Sequence, residues 1–346
     1  MSPVYLDWNA SAPLRPEARE AMIAAMDVVG NPSSVHETGR RALAIIETAR
    51  TQIKSAFGAE ASDVVFTSGA TEAAGLALSK REIHCAKIEH DAVAAWCDAD
   101  ISLEGGRVIV SDAEHTAMQA ANSETGVLQF GFEQVAVCDA VQAFGKTPFA
   151  FEWSGAQMAL LSAHKLGGPK GVGALVLKQG LDVSSQIKGG GQESGRRSGT
   201  ENVIGIAGFG AAAKAVQRDL DQGVWEPVRE LRDALETRLA DEAPDAICVG
   251  KEVPRLPNTT CIAVPGWKGA TQVMQMDLGG YAVSAGSACS SGKVKQSRVL
   301  MAMGFDEITA SSAIRVSFGP TTKTEEVMGF ADTWIAQYKK FKARAA

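Results

Sequence analysis

Between Met158 and Gly171 the chain passes from an unbroken apolar run, Met158 to Leu161, directly into Ser162, His164, Lys165 and a cluster of glycines. A run this short and this apolar reads as a buried strand, and the switch to small and polar groups marks its end. Any fold for this chain must therefore bury that strand and leave a lysine at its tip. Lys165 is then either a surface lysine on a loop or an amine that condenses with a carbonyl cofactor, flanked by hydroxyl and imidazole donors that also suit a phosphate.

A second apolar run upstream, Val135 to Cys138, delivers Asp139 to another strand end, with Gln142 three residues on. Pyridoxal 5′-phosphate needs a carboxylate against its ring nitrogen, because the protonated ring is the electron sink. Asp139 is the candidate for that place.

Earlier still, Asp63-Val-Val-Phe-Thr-Ser-Gly-Ala-Thr-Glu72 reads as strand, glycine turn and helix start. Backbone N–H groups and the Thr71 hydroxyl at such a helix start suit a phosphate. The competing reading is a plain helix capped by Ser68 or Thr71, with Glu72 in its first turn. The glycine-rich stretch Lys188 to Thr200 is likewise either an anion-binding loop or a surface loop.

Helical spacing predicts helices over Pro16–Val29, from Ala42 to Phe57, within residues 90–98 and over Glu201–Asp219. Strands are expected at Ile83–Ile88, Val108–Val110, Val127–Phe130, Val135–Cys138 and Gly171–Leu177. The interval from Asn122 to Asp139 leaves little room for a helical crossover, so a loop is expected there. After Gly223 the pattern changes to mixed helices and strands, ending in a helix from Thr324. The expected architecture is a large domain over residues 15–220, built on a mostly parallel central sheet, and a smaller α+β domain made of residues 1–14 and 221–346.

Composition narrows the functional class. The 346 residues are 45% hydrophobic and 21% charged, as in ordinary globular proteins. A net charge of −6 argues against nucleic acid as the main partner. No membrane-spanning run or signal pattern is visible, so the expectation is a cytoplasmic protein without membrane contact. The six cysteines are scattered without a Cys-x-x-Cys, which points to free thiols rather than a zinc site or a disulfide framework.

Three further residues carry open alternatives. Cys289, in Ser284-Ala-Gly-Ser-Ala-Cys-Ser-Ser-Gly292, stands among residues too small to pack, as a nucleophilic thiol would. Arg315, alternating with apolar residues in Ala313-Ile-Arg-Val-Ser317, either pairs with a structural carboxylate or grips a substrate carboxylate. His90 is either a solvated helix-start residue or an aromatic ring that stacks on a cofactor and moves protons.

Together these stretches resemble the cysteine desulfurases of the NifS/IscS type, class V aminotransferase-like enzymes of the pyridoxal-phosphate fold type I. The resemblance runs through Tyr5-Leu-Asp-Trp-Asn-Ala-Ser-Ala-Pro13, Gly30-Asn-Pro-Ser-Ser34, Phe66 to Glu72, Glu89-His90, Asn122-Ser-Glu-Thr-Gly126, Asp139-Ala-Val-Gln142, Ser162-Ala-His-Lys165, Arg197-Ser-Gly-Thr200, Ser287-Ala-Cys289 and Ser312-Ala-Ile-Arg315. It implies that Lys165 holds the cofactor as a Schiff base and then carries protons, that His90 stacks on the ring as acid or base, and that Asp139 pairs with the ring nitrogen. Gln142 and Asn122 would address the phenolic oxygen and its surroundings, with Asn122 also near the substrate. Ala70, Thr71, Ser162 and His164 would contact the cofactor, the last three at its phosphate, joined there by Thr200 of a second subunit. Arg315 would hold the carboxylate of L-cysteine, and Cys289 would take its sulfur as a persulfide, leaving L-alanine. The implied partners are a homodimer mate and a sulfur-acceptor protein of iron–sulfur cluster or other sulfur-cofactor assembly. A selenocysteine lyase, a class V aminotransferase and a non-catalytic scaffold are the alternatives.

Departures from the family pattern are local. Ser123 replaces the second residue of an Asn-Asn-Glu pair, and Ser11-Ala12 replaces a hydroxyl pair. Two segments, Ser102–Asn122 and Gly126–Val135, look trimmed. The expectation is a less covered sheet face, with an apolar strip that a partner or the dimer mate covers.

Overall fold

The computed structural model describes residues 3–286 and 296–345. β1 (Val4–Tyr5) leads into a loop, and Pro16 opens α1 (Pro16–Met26), where the missing proline N–H costs no helical bond. This helix ends three residues before the expected Val29. α2 (Glu37–Phe57) starts at His36, whose ring nitrogen accepts from the Gly39 N–H, and stops at Gly58, whose φ of 61° is left-handed. Ala42, Ile46, Ala49, Ile53 and Phe57 form its buried stripe.

The central sheet draws on β2 (Asp63–Thr67), followed by α3 (Ala70–Leu78), β3 (His84–Ala86), the single turn α4 (Asp91–Ala94) and β4 (Asp98–Ile101). A hairpin of β5 (Leu103–Glu104) and β6 (Arg107–Val108) precedes β7 (Thr116–Gln119), β8 (Val137–Asp139), the turn α5 (Phe151–Ser154), β9 (Met158–Ser162) and β10 (Gly173–Leu177). Seven strands pair in the order β2-β10-β9-β8-β7-β3-β4. All run parallel except β10, which is antiparallel to both neighbours. α6 (Val203–Asp221) packs against α1 and α2 on one face of this sheet, and α3 lies on the other.

The second half contributes α7 (Trp225–Glu242), β11 (Ile247–Cys248), β12 (Thr259–Ala263), α8 (Gly269–Leu278), β13 (Tyr281–Ala282) and β14 (Ser284–Ala285), then α9 (Arg298–Ala302), α10 (Glu307–Ala310), β15 (Ala313–Ser317) and α11 (Thr324–Ala345). An antiparallel sheet in the order β11-β12-β15-β14 forms here, while β1 returns to pair with β13. Leu6 and Trp8 therefore share a core with Val228, Leu235, Ile314, Phe330 and Trp334. Among the described residues no helix is long and apolar enough to cross a membrane.

Several sequence expectations change. The helix within residues 90–98 is only α4, after which Asp98–Ile101 turns into an edge strand. Val127 and Leu128 make isolated bridges to Arg255 and Ala121 rather than a strand. β7 is a strand that no apolar run announced. No helix lies between β7 and β8, as the short interval requires. The trimmed segments do not bare the sheet: every residue of β7, β8, β9 and β10 except Asp139 is buried, with Val108, Phe132 and Val135 filling in from the shortened connections.

Candidate active site

The ends of the parallel strands β2, β3, β7, β8 and β9 open on one cavity of about 470 Å3, the crevice where an α/β sheet places its ligands. Asn9, Ser11, Gly69, Ala70, Thr71, His90, Gln119, Ser123, Asp139, Gln142, Ser162, His164, Lys165 and Arg315 all line it. Sequence positions from 9 to 315 thus meet because the N-terminal loop and β15 close over the sheet edge.

Lys165 follows β9 on a single 3-10 turn, which aims its amine back across the strand ends. Nζ donates to the main-chain oxygens of Asn9 at 2.6 Å and Ala10 at 3.0 Å. The amine therefore rests on backbone carbonyls inside the cavity rather than on a loop surface.

At one end of the cavity α3 begins at Gly69 with no side-chain cap. This corrects the capped-helix reading: Glu72 turns back to accept from the Ser68 N–H at 2.8 Å, and neither Ser68 nor Thr71 caps the helix. Arg197 holds Glu72 in that pose at 2.9 Å. The first turn is left directed at the cavity, where its orphan N–H groups favour an anion. β10 passes close beneath: a Cβ on Gly173 would lie 2.6 Å from the Leu161 carbonyl oxygen and 2.7 Å from Gly69, so only glycine fits. His164 stands opposite, 3.3 Å from the Ser11 hydroxyl. Burial, with Lys165, Lys170 and Lys146 nearby, pushes its pKa down to about 4, so the ring is neutral at pH 7.

Asp139, at the tip of β8, accepts from the Val141 N–H at 3.0 Å. Burial raises its pKa, opposed by that N–H and by the positive fields of His90 and Lys165. A cation set against it would lower that pKa and favour the ionised form. The His90 Nδ1 accepts from the Ala92 N–H at 3.1 Å, which leaves Nε2 as the nitrogen carrying the exchangeable proton of the neutral ring. Behind it Glu89 is buried, accepts from the Gln119 N–H at 3.0 Å and has a pKa raised well above the usual carboxyl range by burial.

Arg315 reaches the cavity from β15, donating from Nη1 to the Ser123 carbonyl at 2.9 Å and from Nη2 to Asp7 at 2.7 Å. The serine departure at position 123 is thereby explained, because the contact uses its main chain. Asn122 does not line the cavity. It is 1% exposed, and its amide oxygen accepts from the Glu124 and Thr125 N–H groups at 2.9 Å each, so it shapes the loop from behind. Thr200 is exposed and outside the cavity wall. Cys289 lies outside the described residues; the other five cysteines are free thiols.

Sequence reasoning missed Asn9 and Lys146. The Asn9 carbonyl accepts from Lys165 and from Gln142 Nε2 at 2.9 Å; its Oδ1 accepts from Lys146 Nζ at 3.0 Å and Asn258 at 3.2 Å; its Nδ2 donates to Thr259 at 2.9 Å. An asparagine in an extended N-terminal stretch carries no periodic signal, and its meaning appears only on folding. A larger cavity of about 600 Å3 beside α2 is lined by Arg50, Glu193 and Arg196, whose charges are already paired with one another or with Asp63 and Asp182. It offers no reactive group.

The class-V aminotransferase family model matches residues 4–125 and 106–330. A cysteine desulfurase of Cereibacter sphaeroides is 38% identical over 94% of this chain and 93% of its own length. Among solved structures, a NifS-like protein from Rickettsia africae ESF-5 superposes with a TM-score of 0.88 at 32% identity, over 97% of this chain and 99% of that one. SspA, solved in complex with cysteine, superposes at 0.75 with 25% identity over 92% of this chain and 100% of its own. The chain therefore belongs to the class-V aminotransferase family and, within it, to the cysteine desulfurases of the NifS type.

Proposed function

We propose that this cavity takes pyridoxal 5′-phosphate and L-cysteine, and that the chain is a cysteine desulfurase releasing L-alanine and passing sulfur to the Cys289 thiol as a persulfide. The observation that carries the reading is the convergence, on one 470 Å3 cavity, of an amine, an under-compensated carboxyl, an uncapped helix start and a guanidinium. These groups match the cofactor's aldehyde, its ring nitrogen, its phosphate and the substrate carboxylate.

The donor set fits the cofactor. Lys165 would attach it, Asp139 would face its ring nitrogen, and Ala70, Thr71, Ser162 and neutral His164 would receive its phosphate. When bound, the cofactor supplies an electron sink for density released at the substrate's Cα and Cβ. The protein supplies the rest. Arg315 orients the substrate through its carboxylate, and Lys165 Nζ and His90 Nε2 are the groups placed to take and return protons.

In the reaction the Cβ–S bond of cysteine breaks, an S–S bond forms to Cys289, and protons complete the methyl group of alanine. The persulfide then serves a sulfur-acceptor protein of iron–sulfur cluster or other sulfur-cofactor assembly. Thr200 is exposed and away from its own cavity, which supports a homodimer in which each copy offers that hydroxyl to its mate. The large unit over residues 15–220 would then carry the cofactor, and the remainder, with residues 1–14, would carry the thiol.

The test is alanine and sulfide formation from L-cysteine with dithiothreitol. Wild type should give equal amounts, Cys289→Ala should lose sulfide transfer, and Lys165→Ala should lose both. An inert wild-type protein loaded with cofactor contradicts the proposal, and full turnover by Cys289→Ala points to an aminotransferase instead.

A further inference from the structure

Lys146 is 3% exposed, and among the described residues no carboxylate pairs with it. Its amine meets two amide oxygens instead, Gln142 Oε1 at 2.6 Å and Asn9 Oδ1 at 3.0 Å. A buried ammonium without a counter-charge is costly, and its place beside the cavity makes Lys146 a candidate member of the functional cluster. Burial, with Lys165 and Arg315 adding like charge, pulls its pKa well below the usual lysine value. Charged or neutral, the amine still donates.

Both of its acceptors belong to the cavity. Because an amine donates, the Gln142 oxygen must face Lys146, and the Gln142 N–H2 group must face the other way, where it donates to the Asn9 carbonyl at 2.9 Å. That same carbonyl seats the Lys165 amine at 2.6 Å. Donation to an amide oxygen also polarises the amide and strengthens its N–H donors.

We propose that Lys146 is a positioning residue: it locks the Gln142 amide with its N–H2 group towards the cavity and holds in place the Asn9 carbonyl on which Lys165 rests. The inference rests on the reading of this cavity as a pyridoxal-phosphate site, since Gln142 then presents its donor to whatever Lys165 carries. Lys146 itself touches neither cofactor nor substrate.

Two measurements test it. In the cofactor-free protein, hydrogen exchange of the Gln142 side-chain amide, followed by nitrogen-edited NMR, should be at least about tenfold faster in Lys146→Met than in wild type, as expected for loss of one hydrogen bond. Unchanged exchange overturns the proposal, whether or not cofactor binds. In the pyridoxal-phosphate-loaded protein, the pH midpoint of the visible absorption change should rise by about one unit in Lys146→Met, because an anionic ring oxygen loses a fixed donor. Gln142→Leu should shift the midpoint similarly, and adding Lys146→Met to it should shift nothing more. Additive shifts, or a wild-type midpoint in Lys146→Met, also overturn the proposal. Should Lys146→Met not fold, Lys146→Leu, which likewise has no donor, is read in the same way, with and without Gln142→Leu. A merely structural role lowers stability and moves neither readout. A wild-type protein that takes up no cofactor contradicts the proposed function and leaves the amide-exchange test standing.

Discussion

The guanidinium of Arg315 lies 2.7 Å from the Asp7 carboxylate, with side chains 7% and 16% exposed, and this pair ties β15 to the N-terminal loop at the rim of the cavity. Asp7 is held on its other oxygen by the Ser284 hydroxyl at 2.7 Å. Nη1 of Arg315 is bound by the Ser123 carbonyl, and among the described residues its buried Nε has no hydrogen-bond partner. The arginine is thus preset in direction and still has donor capacity for a substrate carboxylate. Of the two open readings of Arg315, the structural pair is present, and the same guanidinium lines the cavity.

Removing Asp7 leaves a buried cation uncompensated. Asp7→Ala should lower unfolding stability by about 3–5 kcal/mol, measured by urea denaturation. Arg315→Lys keeps charge but loses the fork. It should raise the KM for L-cysteine at least about tenfold, given about 1.5–3 kcal/mol per charged hydrogen bond, while binding of cysteamine, which lacks the carboxylate, stays unchanged. Equal losses for both ligands would remove Arg315 from carboxylate recognition.

Glu124 provides a pH signature. Its carboxyl accepts from the Ser297 hydroxyl at 2.5 Å and packs against Gly286. Burial raises its pKa to about 7, against lowering by Ser297, Arg315 and Arg298 and a further rise from Asp91. The folded form therefore binds its proton more tightly than the unfolded chain does. This contribution to stability is present at low pH and is lost as pH rises from about 4.5 to about 7. At roughly 1.4 kcal/mol per pKa unit, the loss is about 3–4 kcal/mol. Glu124→Gln keeps an acceptor for Ser297 and should be more stable than wild type at pH 8, with the difference vanishing below about pH 4.5. A pH-independent difference in urea midpoints would contradict this origin.

Cofactor retention should depend on the uncapped start of α3. Thr71→Val removes one donor from a phosphate at that helix start, and the corresponding loss of about 1.5 kcal/mol or more predicts roughly tenfold weaker pyridoxal-phosphate binding. Equilibrium dialysis reads this directly. Undiminished affinity would move the phosphate elsewhere in the cavity.

Much of the site was legible because strand ends announce themselves. The apolar runs before Asp139 and Ser162 identified β8 and β9, and the groups just beyond them fall in one cavity because a parallel sheet aligns its strand ends. Polar strands were hidden. β4 carries Asp98 and Asp100 on an exposed edge, and β7, Thr116-Ala-Met-Gln119, is buried throughout yet lacks an apolar run. Asn122 read as a cavity ligand from its motif alone, whereas its amide closes a turn. Lys146 was silent for a different reason. Its partners are 4 and 137 residues away, and only the folded N-terminal loop brings Asn9 to it.

The central claim is that Lys165 carries pyridoxal phosphate, and borohydride reduction of the cofactor-loaded protein followed by peptide mass mapping tests it most directly. The account predicts a pyridoxyl group on Lys165 and on no other lysine, with Lys146 unmodified. A reduced protein whose Lys165 peptide is unlabelled, or whose label sits on a different side chain, would contradict it.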